Sequence, residues 1–164
     1  MKKIITLSLI CLVFLCGCNA NSSKKYSEKQ LVNICGFSDY DKMDINYRGT
    51  DCTYYEGIGL DKENPCYGVK FYIFKSSSKA KEAYDADVND AVNYFLIEEQ
   101  NDTDIRYWVI ENGGNARKFE HVSGNLLMKV QFEEVYYFTE DGNSEEREMT
   151  PGNINQIDWL KTNF

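Results

Sequence analysis

Side chains able to perform nucleophilic catalysis are scarce in this chain. His121 is the single histidine among 164 residues, and it lies beside Val122 in a β-forming stretch close to Gly124. A serine or cysteine nucleophile needs a neighbouring base, and the sequence contains no Gly-x-Ser-x-Gly motif. We therefore interpret His121 as a half-exposed strand residue and expect no hydrolytic activity.

Carboxylates are numerous, with 26 Asp and Glu against 18 Lys and Arg and a formal net charge of -8. The pattern Asp-x-Asp-x-x-Asp occurs twice, at residues 39–44 and 85–90. Clustered oxygens suit Ca²⁺, but neither run continues as an EF-hand loop. We interpret both runs as solvated carboxylates and predict no bound metal or other cofactor. The acidic balance makes nucleic acid a poor partner.

Aromatic residues are unusually frequent, at 14% of the chain. Adjacent aromatics occur at Tyr107-Trp108 and at Tyr136-Tyr137, in stretches that favour β-strands. Neighbouring strand residues face opposite sides of a sheet, so one residue of each pair is expected outside the core. Exposed Tyr and Trp anchor sugars and protein partners. These four residues form our candidate binding face, although plain strand composition also explains them.

Three cysteines follow the amino-terminal segment: Cys35, Cys52 and Cys66. Cys35 falls on the apolar face of a predicted helix, whereas Cys52 and Cys66 flank a segment able to fold back as a hairpin. Connectivity does not follow from sequence, so three single pairings and three free thiols all stay open. We predict a Cys52–Cys66 disulfide with Cys35 packed in the core. No pair has the Cys-x-x-Cys spacing of a zinc site.

The first residues have the organisation of an export signal. Lys2 and Lys3 precede an uncharged, mostly apolar run over residues 4–15, which is too short to span a bilayer. The run leads into Leu15-Cys16-Gly17-Cys18, which resembles the lipobox of bacterial lipoproteins. The resemblance implies cleavage before Cys18 and a diacylglyceryl group on its sulfur. Two acyl chains of this kind, such as palmitate, anchor a protein stably.

This reading divides the chain into a signal peptide at residues 1–17, a lipidated cysteine and tether at residues 18–25, and a single folded domain at residues 26–164. We expect the domain on the outer face of the cytoplasmic membrane, attached through its lipid alone. Beyond the lipobox, the chain is similar only in a general way to small envelope lipoproteins. That similarity implies a compartment and not an activity.

Three function hypotheses follow. The leading one is a non-catalytic binding or interaction module whose partner is an envelope protein or glycan. The second is an inhibitor or immunity-type protein, whose acidic surface would meet a basic partner quickly. The third is a carboxylate-based hydrolase of envelope glycans, for which the sequence singles out no pair of acids.

Helix signals are clearest at three places. Ser27 and Gln30 form a capping box before Leu31, and Gly36 suits the left-handed position after a helix. Ser76 precedes a helical spacing of apolar residues, which ends near residue 97 or gives way to a strand over residues 92–98. A last helix is expected from Pro151.

Strand-forming runs occupy most of the remaining chain. Beyond residue 100 they are separated by turn residues rather than by helical segments, which indicates antiparallel neighbours. The sequence therefore predicts an α+β domain with a mainly antiparallel sheet and two or three helices packed on one face. Strands are predicted over residues 43–48, 52–60, 67–74, 105–110 and 116–122, and residues 125–139 are predicted to form a strand or a bent hairpin.

Overall fold

The computed structural model describes residues 24–111, 114–134, 137–138, 144–145 and 149–164. Within them lie three helices: α1 (Glu28–Cys35), α2 (Ser77–Tyr94) and α3 (Pro151–Asn163). The strands of the main sheet are β1 (Tyr40–Tyr47), β2 (Thr50–Gly57), β3 (Lys70–Phe74), β4 (Leu96–Gln100), β5 (Asp104–Glu111), β6 (Gly114–Ser123) and β7 (Leu126–Glu134). A separate two-stranded ladder pairs β8 (Tyr137–Phe138) with β9 (Ser144–Glu145).

The main sheet has the strand order β1-β2-β3-β7-β6-β5-β4, and every neighbouring pair is antiparallel. Strands β1 to β3 form one meander and β4 to β7 form another, and the two meet where β3 pairs with β7. Helix α2 connects β3 to β4 at the far edge, so it must cross one face of the sheet. The predicted α+β class and antiparallel sheet are confirmed.

Both faces of the sheet are apolar and both are covered. On β7, Met128 packs in a core cluster with residues of α1 and α3, whereas its neighbour Leu127 packs in a second cluster with residues of α2. We call these sides the α1/α3 face and the α2 face. Two helices thus share one face, as predicted, and α2 lies on the opposite one because alternation along β3 and β7 presents apolar residues to both sides.

The predicted caps of α1 are confirmed. The Ser27 side chain accepts from the Gln30 backbone N–H, and the Gln30 side chain accepts from the Ser27 N–H at 3.0 Å. Gly36 ends the helix with a φ of 66°, in the left-handed region that glycine tolerates best. Because Leu31 is fully buried, these local bonds fix where the helix begins while packing fixes which side faces the sheet.

The two alternatives for the end of α2 each hold in part. Ser76 caps the helix at its start, and the helix ends at Tyr94. After Phe95 the chain extends at once into β4, which pairs with β5 through a register shift between Ile97 and Glu99. The helical spacing therefore corresponds to α2, and the β-forming residues that follow it correspond to β4.

Candidate functional site

Charged side chains are buried together where α2 crosses the sheet. Glu120 on β6 and Lys129 on β7 are cross-strand partners, and Asp87 reaches them from α2. Glu120 and Asp87 are only 0% and 3% exposed. Charges so far from water persist in a fold only when they are paired and hydrogen-bonded.

Lys129 is the centre of this group. Its Nζ lies 2.9 Å from Glu120 Oε1 and 3.2 Å from Asp87 Oδ2, and it donates to the Tyr47 hydroxyl at 2.7 Å. The Tyr47 hydroxyl in turn donates to Asp87 Oδ2 at 2.7 Å. Burial alone would lower the pKa of Lys129, but Glu120 and Asp87 raise that pKa well above its usual range. Lys129 therefore stays charged, with each of its three donors directed at an oxygen.

Asp87 is held from its other side by the turn between β1 and β2. Arg48 Nε lies 2.8 Å from Asp87 Oδ1, and its Nη1 lies 2.5 Å from Asp90 Oδ2. Arg48 itself has a φ of 52°, a left-handed conformation that costs energy in a residue with a side chain. The two ion pairs hold it there. Asp87 was expected to be solvated; α2 instead buries it, because it lies on the same helix side as Tyr84 and Ala91.

The two carboxyl oxygens of Glu120 differ in their hydrogen-bond partners. Its Oε1 accepts from the Tyr107 hydroxyl at 2.6 Å and from Lys129. Its Oε2 is buried and has no hydrogen-bond partner in the part of the chain that the structure describes. Burial raises the pKa of Glu120, and the Asp87 carboxylate reinforces this, although Lys129 and Tyr107 act against it. The net result is a raised pKa of Glu120, which favours the protonated form of this carboxyl.

A cavity of about 240 Å³ opens beside this group, and we call it the Glu120 pocket. Helix α2 does not cover this part of its face, since Lys70 and Gln131 there are exposed to solvent. Glu120 is the most deeply buried lining residue. The side chains on the α2 face that line the pocket are Tyr47, Lys70, Tyr72, Lys118, Glu120, Lys129 and Gln131.

The charge of the Glu120 pocket is opposite to that of the chain. Three of its lining residues are lysines and one is a glutamate, whereas the whole chain has a net charge of -8. Tyr47 and Tyr72 form one wall, with ring centroids 4.6 Å apart. The pocket thus offers cations, one unpartnered carboxyl oxygen and an aromatic surface.

The candidate aromatic face predicted from sequence is wrong for Tyr107 and Trp108, which are 5% and 6% exposed. Tyr107 faces α2, stacks on Phe95 at 5.5 Å and donates to Glu120. Trp108 faces the other way, where its indole N–H donates to Glu98 at 2.7 Å and the Arg117 guanidinium lies 4.1 Å from its ring centroid. Alternation exposes neither ring, because Tyr107 packs in the core cluster of the α2 face and Trp108 is in contact with Glu98 and Arg117 on the other side.

The other aromatic pair of that hypothesis lies largely outside the described residues. Tyr136 is not among them, and for Tyr137 the structure describes the backbone position in β8 alone. Their part in a binding face stays a prediction.

The predicted Cys52–Cys66 disulfide is absent: Cys35, Cys52 and Cys66 are all buried free thiols. Cys52 lies on the α2 face, whereas Cys66 belongs to the core cluster of the α1/α3 face. The neighbour of Cys66 in that cluster is Cys35. The pKa of the Cys35 thiol lies far above its usual range, mainly because the thiol is buried and to a smaller extent because the Cys66 thiol lies beside it. Burial raises the pKa of Cys52 to about 11. These thiols act as small apolar core residues.

His121 is buried rather than half-exposed, at 8% exposure. Its Nδ1 bonds to Asp104, its partner across β5 and β6, and its ring stacks on Phe119. Lys161 of α3 closes the site, with Nζ 2.9 Å from Asp104 Oδ2. The expectation failed because α3 covers this end of the sheet. The group ties α3 to the sheet.

The bonds to Asp104 predict a loss of stability in acid. Burial would raise the pKa of Asp104, but hydrogen bonds from His121, Lys161 and Asn101 outweigh it and hold that pKa well below its usual range. A carboxylate with a depressed folded-state pKa stabilises the fold above its unfolded pKa, near 3.9, and this stabilisation fades as the pH falls below that value. We expect the free energy of unfolding to drop between roughly pH 4 and pH 2.

The measurement is urea unfolding across that pH range for the parent chain and for Asp104→Asn. The variant should be about 1.5–3 kcal/mol less stable at neutral pH and should lose less stability in acid. Asp102→Asn, an exposed neighbour, serves as the matched control. Equal acid sensitivity of the parent chain and Asp104→Asn would refute this role for Asp104.

Comparison with protein-family models and with curated protein sequences finds no match to this chain. Among the described residues there is no group of three or more His, Cys, Asp or Glu side chains placed to hold a metal ion. The helices within the described ranges are all too short or too polar to cross a bilayer.

Proposed function

We propose that the chain is a lipoprotein of the outer face of the cytoplasmic membrane, and that its folded part is a non-catalytic binding module whose ligand site is the Glu120 pocket. One observation carries the binding role. Lys129, Asp87 and Tyr47 satisfy one another in a buried group, yet Glu120, which lines an open pocket, has no partner for its Oε2 among the described residues. Buried polar atoms are rarely left so, and a ligand atom is a natural partner.

The number of carboxylates at the pocket favours a binding function over a hydrolytic one. Glycoside hydrolysis uses two of them, one on each side of the scissile bond. Glu120 is the one carboxylate among the residues that line the pocket. Asp87, close behind it, has Oδ1 occupied by Arg48 and Oδ2 by Tyr47 and Lys129. It therefore has no oxygen to offer a substrate.

The position of the pocket is compatible with an anchor at Cys18. The chain enters the fold beside the turn between β6 and β7, where the Tyr26 N–H donates to Asn125 Oδ1 at 2.6 Å. Gln131, at the pocket rim, lies five residues along β7 from Leu126, or about 17 Å from that turn. The pocket rim therefore lies apart from the point where a tether would join the domain.

Photo-crosslinking in intact cells tests the proposal with the full-length chain. A photoreactive residue at Gln131 should give a reproducible adduct under light, and the same residue at Lys62, on an exposed loop outside the pocket lining, should give none. Absence of any adduct at position 131 contradicts the binding role. Equal adducts at both positions would point instead to a broad acidic interaction surface of the inhibitor type.

A further inference from the structure

The Glu120 pocket indicates the chemistry of its ligand. We propose that it binds a small oxyanion, a carboxylate or phosphate group, which accepts a hydrogen bond from Glu120 Oε2 and is neutralised by Lys70 at the rim. The inference rests on the proposed function, because it names the ligand class of that same site.

The charges around Glu120 determine what its free oxygen offers. Asp87 and Glu120 are buried and share Lys129, and Asp87 also pairs with Arg48, which reaches it from an exposed turn and meets the part-exposed Asp90 there. Among the ion pairs of the described residues Asp87 has two cations, whereas Glu120 shares Lys129 and is the more buried of the two, so a proton is better accommodated on Glu120. The groups that act on Glu120 from the packed elements are Tyr107 of β5, Lys129 of β7 and Asp87 of α2; Tyr72 and Tyr84 interact with it electrostatically.

The location of the proton follows from the hydrogen bonds. Glu120 Oε1 already accepts two, from Tyr107 at 2.6 Å and from Lys129 at 2.9 Å. A proton is therefore accommodated on Oε2, which has no partner in the described part of the chain. An O–H group at that place needs an acceptor, and a charged oxygen accepts most strongly.

The surroundings of the pocket favour an anion. Lys70 lines the rim and makes no ion pair with any residue that the structure describes. Lys118 and Lys129 add positive charge to the lining. A neutral or cationic ligand would leave Lys70 without a counter-charge, whereas an oxyanion accepts the hydrogen bond from Oε2 and pairs with Lys70.

Size restricts the rest of the ligand. A volume of about 240 Å³ is below the range of roughly 300–1,000 Å³ that is usual for small-molecule sites, so the ligand must be small. Beyond its oxyanion, the ligand has room for a body of about one ring, which would lie along the wall formed by Tyr47 and Tyr72. Benzoate and phenyl phosphate match this description and serve as probes.

Calorimetric titration of the full-length protein tests the ligand class. Benzoate, phenyl phosphate and inorganic phosphate are compared with benzyl alcohol and benzylamine as neutral and cationic counterparts. We expect one of the anions to bind and both counterparts to fail. Preference between benzoate and phenyl phosphate separates a carboxylate from a phosphate ligand, and inorganic phosphate shows whether the ring contributes.

The variant Glu120→Gln shows whether Glu120 donates a hydrogen bond to the ligand or only packs beside it. In the parent chain, affinity for the bound anion should fall as the pH is raised, by about tenfold or more once Glu120 has lost its proton, because the donor is then replaced by a negative charge. The amide of Glu120→Gln still donates, so this variant should bind with little pH dependence. Lys70→Gln should weaken binding by about fivefold, whereas Lys62→Gln, an exposed position away from the pocket, should not. Thermal unfolding confirms that each variant is folded.

Three results would overturn the inference: binding of benzylamine in place of the anions, affinity that rises with pH, or no binding of any probe. Each is distinguishable from failure of the proposed function. A crosslinked adduct at position 131 together with any of these three results leaves a binding module with a different ligand, whereas absence of that adduct removes the module itself.

Discussion

Replacing Lys129 by alanine should lower the free energy of unfolding by about 3–5 kcal/mol. The substitution removes the cation shared by Glu120 and Asp87, so that Glu120 loses its ion-pair partner and Asp87 keeps Arg48 alone, while both carboxyls stay away from water. Removing one partner of a buried ion pair costs far more than an exposed pair contributes, because the other charge stays desolvated. Urea unfolding at neutral pH measures the loss.

Two further variants make that result specific. Lys79→Ala removes the exposed pair with Glu82 on α2 and should cost less than about 1 kcal/mol. Lys129→Met keeps most of the side-chain volume but no charge, so it should be almost as damaging as Lys129→Ala if pairing matters. A small effect of Lys129→Met beside a large one of Lys129→Ala would instead assign the loss to packing.

Replacing Cys18 by alanine is expected to abolish lipid attachment completely. The lipobox-like motif requires a thiol at this position, since the sulfur is the nucleophile that receives the diacylglyceryl group. Without it, incorporation of labelled palmitate should fall to background. Intact-mass analysis of the parent chain should show a diacylglyceryl adduct on an amino terminus that begins at Cys18.

The adjacent cysteine supplies the control. Cys16→Ala places another small residue in the second position of the motif and should leave lipidation unchanged. Unaltered palmitate labelling of Cys18→Ala would disprove the anchor, and the proposed location would fail with it. The proposal that the Glu120 pocket binds an oxyanion does not depend on the anchor, and its tests would then be made in another compartment.

Local features of this fold were predictable because they depend on residues close in sequence. The capping box of Ser27 and Gln30 and the glycine at position 36 are complete within ten residues, and all three have the predicted roles. Antiparallel pairing of β5, β6 and β7 followed from the turn residues that separate these strands. The α+β class followed in the same way.

The candidate site required the tertiary structure. Asp87 and Lys129 are 42 positions apart, and Lys129 lies between Met128 and Val130 in a strand that presents apolar residues to both faces. A lysine in such a strand is a signal of a buried ion pair, but its partner depends on where α2 crosses. The burial of Tyr107 and the separation of Cys52 from Cys66 also depend on how the helices pack on the two faces of the sheet.

The sequence by itself thus determined the caps of α1, the starts of α2 and α3, the antiparallel sheet and the lipobox-like motif, each of which rests on short-range chemistry. Only the tertiary structure decided which face each helix covers, which aromatic side chains are buried and which charges meet. Those outcomes depend on the path of α2 from β3, inside the sheet, to β4 at its edge, and no local pattern specifies this strand order. The energy that selects this placement comes from burying both faces of the sheet at once, a property of the whole chain.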